Sequence, residues 1–455
     1  MNLVRVSPGV FIFLLHKPAN SAIILSVKNL RRGIALDIFK RNSKIAVSYV
    51  LAIFKWIAVS AAVGAVGGTV GVAFHVSVEK VTELRTAHGW IVYLLPFGGL
   101  AIAGLYKLFK MEKLGTDNVI ESIRTEKSVP FLLAPLIFVS TVITHLFGGS
   151  AGREGAALQL GGSIGAQVGR VLKFDEKDMH LATLCGMSAV FSALFGTPLT
   201  ATLFALEVIS VGVVYYSGII PCLTSSLVAY WIAKLCRVEP VRFELSTVPE
   251  MSFGTFWRVA VLSAVCAVLS IGFCLLMHFS HKGAAKLFKN SFLRAFVGGA
   301  AVVVLTLIFG RDYNGAGMNI IENAMNGKAL PYAFLLKMVF TAITIGFGFK
   351  GGEIVPTFFI GSTFGCAFGS LLGLDPAFSA ALGLVALFCG AVNCPLASVF
   401  LSIELFGADG IIYFAAACAI SFALSGYFGL YSSQKIIYSK TKAEYINITT
   451  AQELK

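Results

Sequence analysis

Gly148 to Gly165 reads GGSAGREGAALQLGGSIG, and 200 residues further on Gly348 to Gly365 reads GFKGGEIVPTFFIGSTFG. Both stretches end one apolar run with glycines and open another. A second pair follows each of them: Phe191 to Glu207 (FSALFGTPLTATLFALE) matches Phe388 to Glu404 (FCGAVNCPLASVFLSIE), with Phe, Pro-Leu and Glu at equal spacing. Two halves descended from one unit is the natural reading, and helical transporters often fold that way around a site near the bilayer midplane.

The rest of the chain agrees with a membrane setting. Of 455 residues 57% are hydrophobic and 13% charged, with a mean hydropathy of +0.82, which excludes an ordinary soluble domain. Long apolar stretches recur from about 47–78 to 409–430, and strand alternation is nowhere sustained. Shorter apolar pieces at about 156–172, 199–211, 357–373 and 396–406 carry Gly or Pro at one end, the mark of broken helices around a site. The expected fold is an all-α polytopic membrane protein of two repeated halves with half-spanning helices.

The net charge of +13 would suggest nucleic acid in a soluble protein, but here the basic residues flank apolar spans, so no nucleic-acid partner is expected. Lys28, Arg31, Arg32, Lys40, Arg41 and Lys44 precede the first long span, and Lys435, Lys440 and Lys442 follow the last, which places both termini in the cytoplasm. The expected organisation is a cytoplasmic segment at 1–46, membrane repeats at 47–236 and 253–441, and a short tail at 442–455 with no room for a soluble regulatory domain. Nine cysteines lie mostly in apolar segments without a Cys-x-x-Cys pair, so neither disulfides nor a metal site are expected.

Within the first glycine-rich stretch, Arg153 and Glu154 stand at membrane depth. Buried charges there are costly and usually serve transport or pair with each other. Glycines admit a close approach to the backbone, and the amides opening the next helix favour an anion. Glu154 sits where such an anion would pass. Ionised, it competes for the site; protonated, it can swing aside or carry the proton.

This segment resembles the Gly-Lys/Arg-Glu-Gly-Pro signature of the CLC chloride-channel family, with Ala156 in place of proline. The resemblance extends over residues 47–441 and implies the CLC fold, a homodimer with one pore per subunit, and transport of a small halide anion. It makes Glu154 the external gate and proton carrier. Three other places resemble parts of the family's anion site: Gly115-Thr116 with Asp117, Gly352-Glu353-Ile354-Val355-Pro356, and Tyr438 at the start of a short final helix. With Gly152, Arg153 and Gly155 these form the expected anion-binding set: Gly115, Thr116, Glu353, the amides of Ile354 and Val355, and the Tyr438 hydroxyl.

Val208 occupies the place where proton-coupled chloride members carry an internal glutamate. The fluoride-exporting branch also lacks that residue and has a glutamate where Glu353 stands. A proton-coupled halide antiporter, chloride or fluoride, is therefore expected in a bacterial-type inner membrane, with a passive chloride channel as alternative. Neither a phosphate-binding loop nor His-Glu-x-x-His occurs, so no cofactor is expected and a membrane-embedded enzyme is a remote reading. Glu207 and Glu404 are read as helix-end partners of basic side chains. His145 is read as structural or as tuning Glu154, and Lys350 as solvated or as drawing anions to the mouth.

Overall fold

The computed structural model describes residues 2–7, 10–14, 21–125, 127, 129–245 and 247–450, without the side chains of residues 2–7, 10–14, 21–28, 30–38 and 40. Much of the basic run at Lys28, Arg31, Arg32 and Lys40 thus lies outside the described side chains, as do residues 451–455 of the expected tail. The chain forms two units, 1–56 and 57–455. The first holds an antiparallel hairpin of β1 (Asn2–Ser7) and β2 (Val10–Leu14). Residues 57–87 of α1 (Ser21–Ala87) belong to the second unit.

In the second unit the first half continues with α2 (Leu95–Leu108), α3 (Thr116–Ser122), α4 (Leu133–Leu146), α5 (Glu154–Val171), α6 (Glu176–Phe195), α7 (Pro198–Glu207) and α8 (Ile219–Leu235). The second half has α9 (Phe253–Leu287), α10 (Ser291–Phe309), α11 (Met318–Met325), α12 (Ala333–Gly346), α13 (Ile354–Leu371), α14 (Pro376–Val392), α15 (Pro395–Phe406) and α16 (Ile411–Leu424). Among the described residues, seven helices are long and apolar enough to cross a membrane, and five more are apolar but shorter.

The repeat governs local structure down to the caps. α4 and α12 are both 14 residues long, α5 and α13 both 18, and each pair starts 200 residues apart. Asp175 caps α6 by accepting from the Asp178 amide at 2.8 Å, as Asp375 caps α14 through the Phe378 amide at 2.8 Å. The same two helices end on left-handed residues, Gly196 (φ 69°) and Asn393 (φ 58°). Gly161 and Gly165 let α5 cross α6 at backbone contact: a Cβ on Gly161 would lie 2.2 Å from the Gly186 carbonyl oxygen. Gly361 and Gly365 do the same for α13 against α14.

Glu207 and Glu404 fasten the halves together. Glu207, the last residue of α7, accepts from the amides of Leu396 (3.3 Å) and Ala397 (2.8 Å) at the start of α15. Glu404, near the end of α15, accepts from the amides of Leu199 (2.9 Å) and Thr200 (2.8 Å) and from the Thr200 hydroxyl (2.6 Å) at the start of α7. Each carboxylate supplies the cap that the other half's helix lacks. The expected partners were basic side chains; the observed ones are backbone amides, which a proline-led helix start leaves open. Because each helix end meets the other's beginning, α7 and α15 run antiparallel, the relation of inverted repeats.

Besides the hairpin of β1 and β2, the C-terminal part departs from the expected all-helical picture. Ser210–Val211 (β3), Lys435–Tyr438 (β4) and Tyr445–Thr449 (β5) form a small sheet in the order β3-β4-β5. The expected tail at 442–455 therefore contributes a paired strand, and Thr450 is buried with its amide donating to the Gln434 carbonyl at 3.1 Å. The short final helix expected at Tyr438 is instead the end of β4.

Candidate functional site

The two glycine-rich turns meet face to face. Gly152 and Gly352 form an antiparallel bridge, each amide donating to the other's carbonyl at 2.7 Å. A Cβ on Gly352 would lie 2.3 Å from the Gly155 nitrogen, so only glycine lets the backbones close this far. Ser150 ties the first turn to α12, its amide donating to Thr344 Oγ1 (3.0 Å) and its hydroxyl meeting Thr341 Oγ1 (3.1 Å). The bridge aims the starts of α5 and α13 at one small space.

Glu154 fills that space. It is 1% exposed, and its Oε2 accepts from the Arg153 amide at 2.8 Å. The amides of Glu154 itself and of Val355, from the opposite half, also act on this carboxylate. Arg153 Nε stands 3.8 Å from Oε1. A carboxylate held between the amides of two helix starts occupies what a small anion would take.

Thr116, at the start of α3, adjoins from the side. Its hydroxyl donates to the Gly155 carbonyl (3.4 Å) and accepts from Gln159 Nε2 (2.9 Å). Gly115, the residue before, donates its amide to Asn118 Oδ1 at 2.9 Å. Asp117 accepts from the Ser432 hydroxyl (2.6 Å) and the Ser433 amide (2.9 Å). It thereby pins the turn that carries Tyr431.

Tyr431 is the residue that sequence reasoning missed. It is 2% exposed, its hydroxyl has no partner among the described residues, and Glu353, Asp117 and Glu154 act electrostatically on it. Tyr438 is 47% exposed and packs edge-on against Tyr445 at 5.8 Å. Both tyrosines follow the last long helix. The helix expected at Tyr438 is absent, and the stretch Gly429-Leu430-Tyr431-Ser432-Ser433 is a turn held by side-chain bonds.

Glu353 stands at the cap position of α13 without a side-chain cap bond and lines a cavity of about 360 Å³. Tyr106, Gln159, His278, Arg294, Glu353 and Tyr431 all line it, and each has a buried polar atom without a partner among the described residues. Buried polar atoms are seldom left unpaired, so their convergence marks a place for water and ions. Lys350 lines the cavity with its ammonium 4.2 Å from the Tyr106 ring centroid, so it is not a freely solvated lysine. His145 is buried, with Nδ1 2.9 Å from the Thr141 carbonyl and its own carbonyl accepting from Arg85 at 2.5 Å, while its Nε2 has no partner among the described residues.

Known proteins share the sequence and the fold of this chain. The family model described as voltage gated chloride channel matches residues 98–426. A chloride/fluoride channel protein of Pseudomonas syringae pv. tomato is 34% identical over 397 residues, covering 85% of this chain and 88% of that protein. The H(+)/Cl(-) exchange transporter ClcA of Vibrio campbellii is 25% identical over 77% of this chain and 82% of its own. A crystal structure of a CLC-type fluoride/proton antiporter superimposes with a TM-score of 0.82 at 29% identity, over 84% of this chain and 98% of that one. A slow cyanobacterial Cl-/H+ antiporter shares the fold, with a TM-score of 0.70 at 20% identity. The match over the larger part of the chain and the apolar helices together make this an integral membrane protein belonging to the voltage gated chloride channel family, the CLC family.

Proposed function

We propose that the protein exchanges a small halide anion for protons across the membrane, with Glu154 as both gate and proton carrier. The observation that carries this reading is the Glu154 carboxylate itself, held by amides from both halves in the space an anion would take. Protonating Glu154 removes the charge that those amides stabilise and frees the space. The anion's ligands are then the start of α5 (Gly152, Arg153, Gly155), the amides of Ile354 and Val355, and Thr116 beside Gly115.

Tyr431 takes the role first expected of Tyr438, offering a hydroxyl to a dehydrated anion. Glu353 is the second carboxylate of the proton path, since it opens to the cavity while Val208 is fully buried and apolar. Fluoride is the favoured cargo. Glu353 supports this, as does likeness to a protein named as a chloride/fluoride channel and to one titled a fluoride/proton antiporter. The membrane is proposed to be a bacterial-type inner membrane with both termini cytoplasmic. Two copies are proposed to pair through α7, α8, α15 and α16, where Leu199, Trp231, Leu396 and Ile412 are exposed.

The test is efflux from proteoliposomes loaded with fluoride or chloride, with pH recorded at the same time, for the protein and for Glu154→Gln. Fluoride efflux well above chloride, with protons moving the other way until Glu154 is neutralised, is the expected result. Chloride flux without proton movement would make the protein a passive channel.

A further inference from the structure

The start of α13 carries a cation for which the exchange reading above has no task. Lys350 lies three residues before Glu353, and both line the same cavity. Its ammonium rests over the Tyr106 ring, 4.2 Å from the centroid. At the equivalent place in the first half stands Ser150, buried and bonded to Thr341 and Thr344. The repeat thus places no cation there, and the lysine belongs to the second half alone.

Glu353 has an oxygen, Oε2, without a partner among the described residues. Lys350 is the cation that acts electrostatically on it, yet no ion pair within 4.0 Å joins the two among the described residues. The other charged or titratable groups around this cavity are Asp117 from α3, Glu112 and Lys113 from the α2–α3 connection, Tyr106 from α2, Cys274, His278 and His281 from α9, Arg294 from α10 and Tyr431 before β4, and Asp117 and Glu154 also act electrostatically on Glu353. Asp117 is committed to Ser432 and Ser433, and Glu112 accepts from the Ser291 hydroxyl at 3.0 Å. A lysine side chain has four flexible bonds and carries its charge as a point, which suits it to change partners.

We propose that Lys350 is a movable counter-ion for Glu353. While Glu353 holds a proton, the ammonium rests on Tyr106 and presents its charge to an anion in the cavity. When the proton leaves, the ammonium turns to the carboxylate and the cavity loses its free positive charge. A proton arriving on Glu353 thereby recruits an anion to the same end of the pathway, and its departure releases that hold. This inference rests on the exchange reading. Lys350 acts in it as a positioning residue.

The experiment is initial efflux from proteoliposomes against internal anion concentration, with proton movement recorded, for the protein, Lys350→Met, Lys350→Arg and Tyr106→Leu. Each variant must elute from size exclusion as the parent does. Lys350→Met is expected to raise the half-maximal anion concentration about tenfold, the cost of one lost charge contact, and to lower the protons moved per anion. Lys350→Arg should restore both, and Tyr106→Leu should shift both in the direction of Lys350→Met. A proton-coupled parent whose Lys350→Met keeps the parental half-maximal concentration and ratio would end this inference alone. Lost flux at an unchanged ratio, unrescued by arginine, would reduce Lys350 to a structural part. Should Lys350→Met not fold, a Tyr106→Leu with parental values would overturn the proposal. A parent that moves no protons would end the exchange reading and this inference with it.

Discussion

At the start of α5 the carboxylate belongs to the first helical residue, Glu154, and is gripped by amides; at the start of α13 it belongs to the cap residue, Glu353, and one oxygen faces a cavity. The backbones are nearly superposable: the cap dihedrals are φ −109°, ψ −9° at Arg153 and φ −97°, ψ −12° at Glu353. Measured from the Gly152–Gly352 bridge, the second glutamate is one residue closer. That single step decides whether a carboxylate competes with the anion or stands beside its route. One ancestral turn has thus yielded two acids with different neighbours, the kind of divergence that lets a pair of carboxyl groups divide a proton-transfer task.

If that contrast is real, neutralising the two acids should have unequal effects. Glu154→Gln should lower anion-driven proton movement by about a hundredfold, the usual scale for losing a positioned proton carrier. Glu353→Gln should lower it by about tenfold, since the anion's own place is left intact. Equal losses in the proteoliposome assay would erase the distinction. Tyr431→Phe should slow anion flux several-fold, about the worth of one hydrogen bond to a charged group, while Tyr438→Phe leaves it unchanged. The reverse pattern would return the pore role to Tyr438.

Stability measurements sharpen the same comparison. Gly352→Ala forces a Cβ against the Gly155 nitrogen and should cost about 1–3 kcal/mol, read as a lower Tm in detergent. The cross-half caps should give smaller losses, about 1 kcal/mol each, with Glu404→Ala costing more than Glu207→Ala because it loses three hydrogen bonds rather than two. An equal Tm for the two would show that the extra Thr200 hydroxyl bond contributes nothing.

The helical architecture was largely legible in the residues. The shift of 200 residues located both half-helices, because glycine-marked turns and apolar length survive as pattern even when individual residues diverge. Glu154 and Glu353 were legible as charges in apolar surroundings. The small sheet was not, since its strands are two to five residues long and too short for any period to register. Tyr431 escaped because its position depends on Asp117, more than 300 residues earlier in the chain. The partners of Glu207 and Glu404 escaped for a related reason. A side chain that receives backbone amides from a distant helix leaves no complementary residue type to look for.

Those reciprocal caps also set an order of events during synthesis. When the first half has left the ribosome, Glu207 is made but Leu396 and Ala397 are not, and the start of α7 awaits Glu404. A bare helix start and an unpaired buried carboxylate are each unfavourable, the missing cap alone by about 1 kcal/mol. The early half must therefore remain sheltered or unsettled until the late half arrives. A gene cut between residues 236 and 253 should yield two fragments that accumulate only when made together in the same cell.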